Sequence, residues 1–238
     1  MSPFATTGIF TADFTAGPAV LTSVMSQHDA SAVDSTALNV TADGFQARLQ
    51  SEESRGAIPR AQELVGYIAF GIGGTAVRTV NVGGTPVVTS FGRTFANAVV
   101  VADTQTVNDL DTQSTILTAQ SNTAANLVLA EETSANADTG RSDNDAVAMA
   151  VFEAGMLRGQ RLGNASLVTA AQLAAAANAP AFRTVGQSGS VTVAPAQAAA
   201  PIRVNFSSPV ENAVIMLTGS HQSGDPYTLR VVSRDANG

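Results

Sequence analysis

The 238-residue chain contains no cysteine, no tryptophan and no lysine, and only two histidines and two tyrosines. Without cysteine it forms no disulfide and builds no thiolate zinc site. Without lysine its twelve basic residues are all arginine, against nineteen acidic ones, a formal charge of −7. A surface of that sign does not release counterions from nucleic acid, and it is repelled by anionic lipid. No apolar run reaches the roughly 20 residues of a spanning helix, so membrane insertion is not expected. The opening MSPFATTGIFTADF has neither a basic start nor an apolar segment, so no secretory signal is expected there. A nucleophile elbow of the form G-x-S-x-G is absent, and the glycine-rich 71–76 (GIGGTA) lacks the lysine of a phosphate loop.

What the chain does have is hydrophobic residues at 45%, and a repeat. The first unit carries Phe14, an apolar stretch 19–24 (AVLTSV), a polar loop with His28 and Asp29, the long 35–54 (STALNVTADGFQARLQSEES) and a closing 63–70 (ELVGYIAF). The second carries Phe95, 98–103 (AVVVAD), a polar loop, 114–133 (STILTAQSNTAANLVLAEET) and 146–152 (AVAMAVF). Glu52–Glu53 then align with Glu131–Glu132, Tyr67 with Met149 and Phe70 with Phe152. A third unit opens at 202 with Phe206 and AVIMLTG, adds YTLRVVSRDANG and breaks off about half-way. Its missing strands are expected from a longer chain, another segment or another copy, because an open β edge invites such addition.

Alternation in LNVTADGFQARL about Asp43–Gly44 signals a hairpin. Short strands at regular spacing predict an all-β chain of tandem antiparallel β-sandwiches. The expected boundaries are 1–71 for the first sandwich, 72–90 for a linker or hairpin, 91–155 for the second sandwich, 156–201 for a connector and 202–238 for the partial third. One short helix is expected in the connector, at 166–179 between an N-capping Ser166 and Pro180.

The opening strand, the T-A-D-G-F-Q-A-R-L hairpin and the closing E-L-V-G-Y-I-A-F together resemble the H-type lectin domain, above all its tandem bacterial and tail-fibre-like versions. The resemblance covers about two and a half units. It implies a six-stranded antiparallel sandwich that forms trimers and, in some members, binds sugars. The loops that hold an aromatic and a histidine in lectin members read SEESRGAIPR and AEETSANADTG here and carry neither. Arg230 sits near an arginine of the lectin pattern.

Six loop residues are the candidate ligand contacts: His28, Asp29, His221, Asp225, Tyr227 and Arg230. Each histidine follows an opening strand and has an aspartate nearby, but no His-x-x-His spacing points to a metal. The glutamate pairs suggest acid–base chemistry only until the pleat is considered, since strand neighbours point to opposite faces. Oxygen-rich 108–113 and 136–145 could take Ca²⁺, though neither follows the EF-hand spacing; no cofactor is otherwise expected. Tandem sandwiches, an acidic cysteine-free composition and the lack of a catalytic constellation therefore point to a non-enzymatic structural or adhesive protein outside the cell, on its surface or in a virion. It is expected to assemble as a homo-oligomer, a trimer or filament. A module recognising cell-surface glycans is the alternative.

Overall fold

The computed structural model describes residues 6–10, 14–52, 54, 61–73, 76–108, 112–133, 143–159, 183–192, 201–207, 209–210, 213–220 and 229–238. These form an all-β, sandwich-like fold of mostly antiparallel sheets. The helix expected at 166–179 lies outside the described residues. Contacts divide the chain into two compact units, Met1–Phe152 with Val214–Ser233, and Glu153–Ala213 with Arg234–Gly238. The two full repeats read from the sequence thus share one unit with most of the third.

In the first repeat β1 (Thr6–Ile9), β4 (Gly44–Ser51) and β3 (Val33–Leu38) form one sheet, and β2 (Ala19–Val24) pairs with β5 (Val65–Phe70). The second repeat uses the same order. β7 (Val87–Ser90), β10 (Ala124–Glu131) and β9 (Gln113–Gln120) are consecutive neighbours, while β8 (Ala98–Thr104) pairs with β11 (Asp145–Glu153), which also takes β6 (Val77–Val82). The stretch expected as linker or hairpin therefore supplies β6 and β7, which join two different sheets of the second repeat. Gly83, Gly84 and Pro86 separate them without a two-residue hairpin turn, so the chain crosses between sheets instead of folding back.

The hairpin turns match atom for atom. Thr41 N donates to Gly44 O at 2.8 Å, and the Thr41 hydroxyl accepts from the Asp43 and Gly44 amides. Ser121 does the same with Ala124 O and with the amides of Thr123 and Ala124. Short side-chain oxygens that bond to the backbone two residues on favour such turns. In both, a phenylalanine amide closes the edge strand on the turn: Phe10 N to Asp43 O at 2.9 Å, Phe91 N to Thr123 O at 2.7 Å. In the other compact unit Phe206 N donates to Asn237 O at 2.7 Å, and Asp235 Oδ1 accepts from Asn237 N at 2.8 Å. The turn thus appears a third time.

Three apolar clusters stack four sheets. Val20, Ala37 and Phe45 lie between β2–β5 and β1–β4–β3. Phe91, Leu117, Leu127, Leu129, Val147 and Met149 belong to the larger cluster between β6–β11–β8 and β7–β10–β9. Between them Ala19, Leu21, Ala148 and Ala150 join the two repeats. Alternation explains why β2 and β11 are buried on both faces: Val20 and Val147 point one way, Ala19 and Ala148 the other. Small residues let the central sheets approach, and the equivalent rings of Phe70 and Phe152 meet there at 5.6 Å between centroids. The repeats therefore join through the same face of each, the arrangement of an isologous pair.

In the second compact unit β12 (Gly155–Gly159) pairs antiparallel with β13 (Arg183–Ser188). Gln187 Oε1 accepts from the amide and hydroxyl of Ser207, both at 2.7 Å. Arg203 Nη2 reaches both carboxylate oxygens of Asp235 at 3.0 Å.

Candidate functional site

The closing strand of each repeat opens on a buried carboxylate. In the first, Glu63 precedes β5. Its Oε2 accepts from the Ser26 hydroxyl at 2.5 Å, and its Oε1 from the amides of His28 and Asp29 at 2.9 and 2.6 Å. The Leu64 amide in turn donates to Ser26 Oγ at 2.7 Å. In the second, Asp145 accepts on Oδ1 from the Thr106 hydroxyl and the Asn108 amide at 2.7 and 2.8 Å, and on Oδ2 from Gln113 Nε2 at 2.8 Å. The Ala146 amide donates to Thr106 Oγ1 at 2.8 Å. Ser26 and Thr106, His28 and Asn108, and Glu63 and Asp145 thus occupy equivalent places. Each clasp ties the loop after the opening strand to the start of the closing strand.

The two clasps differ in their fourth partner. At Asp145 it is Gln113. At Glu63 it is Arg230, whose Nη2 lies 3.8 Å from Oε1 while Nη1 donates to Asp29 O at 3.0 Å. Burial pushes the Glu63 carboxyl up, but the hydrogen bonds from Asp29, Ser26 and His28 and the charge of Arg230 outweigh it and hold it below its ordinary value.

The structure therefore brings together three of the six candidate residues. Asp29 is buried and Arg230 is largely covered, with its side chain 13% exposed. His28 is the one of the three whose ring faces solvent, 66% exposed, with Nδ1 2.7 Å from Gln62 O. His221, Asp225 and Tyr227 lie outside the described residues. Glu63, the centre of the cluster, was not singled out from the sequence. Its signal is positional: an acidic residue stands immediately before each closing segment, Glu63 before LVGYIAF and Asp145 before AVAMAVF.

A second polar locus lies where the repeats join. A cleft of about 40 Å³ is lined by Asp34 of β3, Asp103 of β8, the hydroxyl residues Thr22, Ser23, Ser114, Thr115 and Thr218, and apolar neighbours including Leu217 and Leu229. Asp103 Oδ2 accepts from the amide and hydroxyl of Thr22 at 2.7 and 2.5 Å, and Oδ1 from the Thr104 amide at 2.8 Å. Burial, then the neighbouring charge of Asp34, pushes the Asp103 carboxyl up to about 8 in spite of these bonds. Burial raises Asp34 to about 6.

No protein-family model, curated protein or solved structure matches the chain. Chemistry must therefore be read from the geometry alone. Glu52 and Glu132 make equivalent backbone bonds, to Ala32 O and Thr112 O. Thr41 with Ser121 and Glu52 with Glu132 are each 80 residues apart, so the equivalent of Glu52 is Glu132, one place on from the expected Glu131. Glu53 lies outside the described residues, as do parts of both oxygen-rich loops. Among the described residues no three His, Asp or Glu side chains come together as metal ligands.

Proposed function

We propose that the chain is a non-enzymatic structural or adhesive module of tandem β-sandwiches, acting outside the cell in an adhesin, a filament or a virion tail or surface assembly. The observation that carries this is the pair of equivalent edge strands. Among the described residues β1 and β7 are the outermost strands of their sheets, and they expose Ile9 at 74% and Val88 at 70%. An open edge with exposed apolar residues is a template for pairing with another chain. The buried carboxylates Glu63 and Asp145 support the same reading, because internal donors occupy them.

Sedimentation of the intact chain over a range of concentrations tests it. Defined oligomers or fibres are expected, and Ile9→Lys with Val88→Lys, which charges both edges, should return the chain to monomers. A folded monomer at high concentration that attaches to no cell surface removes the proposal. The glycan-binding reading has one observation of its own, the exposed His28 ring beside the Glu63 clasp. Glycan-array signal lost in His28→Ala would favour that reading instead.

A further inference from the structure

The third, incomplete repeat does not stand apart in the region 214–233. Thr218 Oγ1 accepts from the Ala102 amide at 2.8 Å and donates to Ala102 O at 3.0 Å. Gly219 and Ser220 form a two-residue parallel bridge (β14) with Ile116 and Leu117 of β9. Val231 N donates to Val24 O at 3.1 Å on the other repeat. Val214 meets β5 at Gly66, where a Cβ would strike Met25 and Val214. The described residues 214–220 and 229–233 are thus a strap touching both repeats, held by a few bonds and a short parallel bridge. Such elements belong to the low-stability end of a fold.

Under the strap lies the Asp34–Asp103 cleft, to which it contributes Leu217, Thr218, Gly219 and Leu229. Among the described residues the pair is the only ionisable content of the lining. Its residues are related by the repeat in an exchanged sense: Asp34 is equivalent to Ser114, and Asp103 to Ser23. Each repeat gives one aspartate and one serine, so two carboxyls come together where strict repetition would have given four or none. Among the described residues nothing around them compensates a double negative charge. On its face of β3–β4, Asp34 is opposite Gln50, and the charged side chain there is Arg48, opposite Thr36. The faces that β2–β5 and β6–β11 turn toward the junction carry no charged side chain.

We propose that Asp34 and Asp103 form a proton-dependent latch: protonated, they let the strap 214–220 and 229–233 close over the junction of the repeats, and ionised together they release it. The chemistry is one proton lost to solvent from each carboxyl, which replaces a neutral hydrogen-bonding group by a buried anion beside another. The raised carboxyls place the opening between mildly acidic and mildly alkaline pH. Release bares Ile116 and the edge of β9, a surface fit for a partner strand.

Hydrogen exchange by mass spectrometry on the intact chain, corrected for intrinsic rates, tests this. Protection of peptides within 214–220 and 229–233 should fall about tenfold or more between pH 5 and pH 9, while β2, β5 and β11 stay protected. In Asp34→Asn/Asp103→Asn the change should shrink to about twofold or less. Should that variant not fold, Asp34→Ser/Asp103→Ser puts the repeat's own residue at each place and serves the same comparison. An unchanged strap in the native chain, equal loss in the central strands, or the same loss in a folded variant overturns the latch.

Discussion

The two repeats place the same strands in the same order yet settle their cores differently. In the second, Phe91 is fully buried and stacks edge-on to Phe95 at 5.7 Å, inside a cluster that runs through both sheets. In the first, the equivalent Phe10 is half-buried and belongs to a looser aromatic group with Phe14, Phe45 and Tyr67. The smaller first core contains three fully buried apolar residues, and much of its order comes from polar ties: the Glu63 clasp with Arg230 docked on it, and Thr22 bound to Asp103. One strand plan thus tolerates two balances between apolar burial and buried hydrogen bonds, provided the turn and the clasp are kept.

The comparison is broken most forcefully in the cores. Phe91→Ala should cost about 4 kcal/mol and Phe10→Ala about 2 kcal/mol, because the first leaves a closed cavity and the second a site that solvent and neighbours can fill. Urea denaturation of the two variants checks the order, and equal costs would erase the distinction between the cores. Next come the clasps. Glu63→Ala and Asp145→Ala should each cost about 2 kcal/mol, since each strands a half-buried hydroxyl and backbone donors. Near-equal values measured by the same method support one device used twice; a clasp whose loss costs nothing refutes its equivalence.

Acid and base should then act on opposite carboxyls. Glu63, held low by its donors, contributes stability that is present above its unfolded value and lost as pH falls through its folded one. Asp34 and Asp103 behave in the reverse sense. The folded chain keeps protons that the unfolded chain releases above 3.8, so their contribution is full below that value and is lost as pH rises toward about 8. A stability profile from denaturant melts between pH 4 and 9 should therefore decline toward the alkaline side. Asp34→Asn/Asp103→Asn should flatten that decline, and Glu63→Gln should not.

The strand plan was legible because period-2 alternation and turn residues are local signals. They place β2–β5 and β8–β11, the hairpin at Asp43–Gly44, and the matched pair Phe70 and Phe152. Of the two edge strands TTGI was not legible, since four residues are too short to show a period, whereas VVTS read as strand-like but within a linker or hairpin and not as the edge of a sheet. Neither was the clasp, because a lone acidic residue before a strand looks like a solvated loop until the opposite loop closes on it. The candidate contacts Asp29 and Arg230 were chosen as exposed loop or strand groups. Tertiary packing, 201 residues apart in sequence, turned both inward. The match of Glu52 with Glu131 missed by one place because Ser-Thr and Glu-Glu recur 79 residues apart in the sequence, while the structural equivalents Thr41 with Ser121 and Glu52 with Glu132 lie 80 apart.

The two repeats join through equivalent faces, and a double-mutant cycle on Phe70 and Phe152 probes that contact directly. Phe70→Ala, Phe152→Ala and the double variant should give a coupling of about 1 kcal/mol, as expected for paired rings in contact. Strictly additive losses would mean that the two rings do not meet, and would contradict the joined pair.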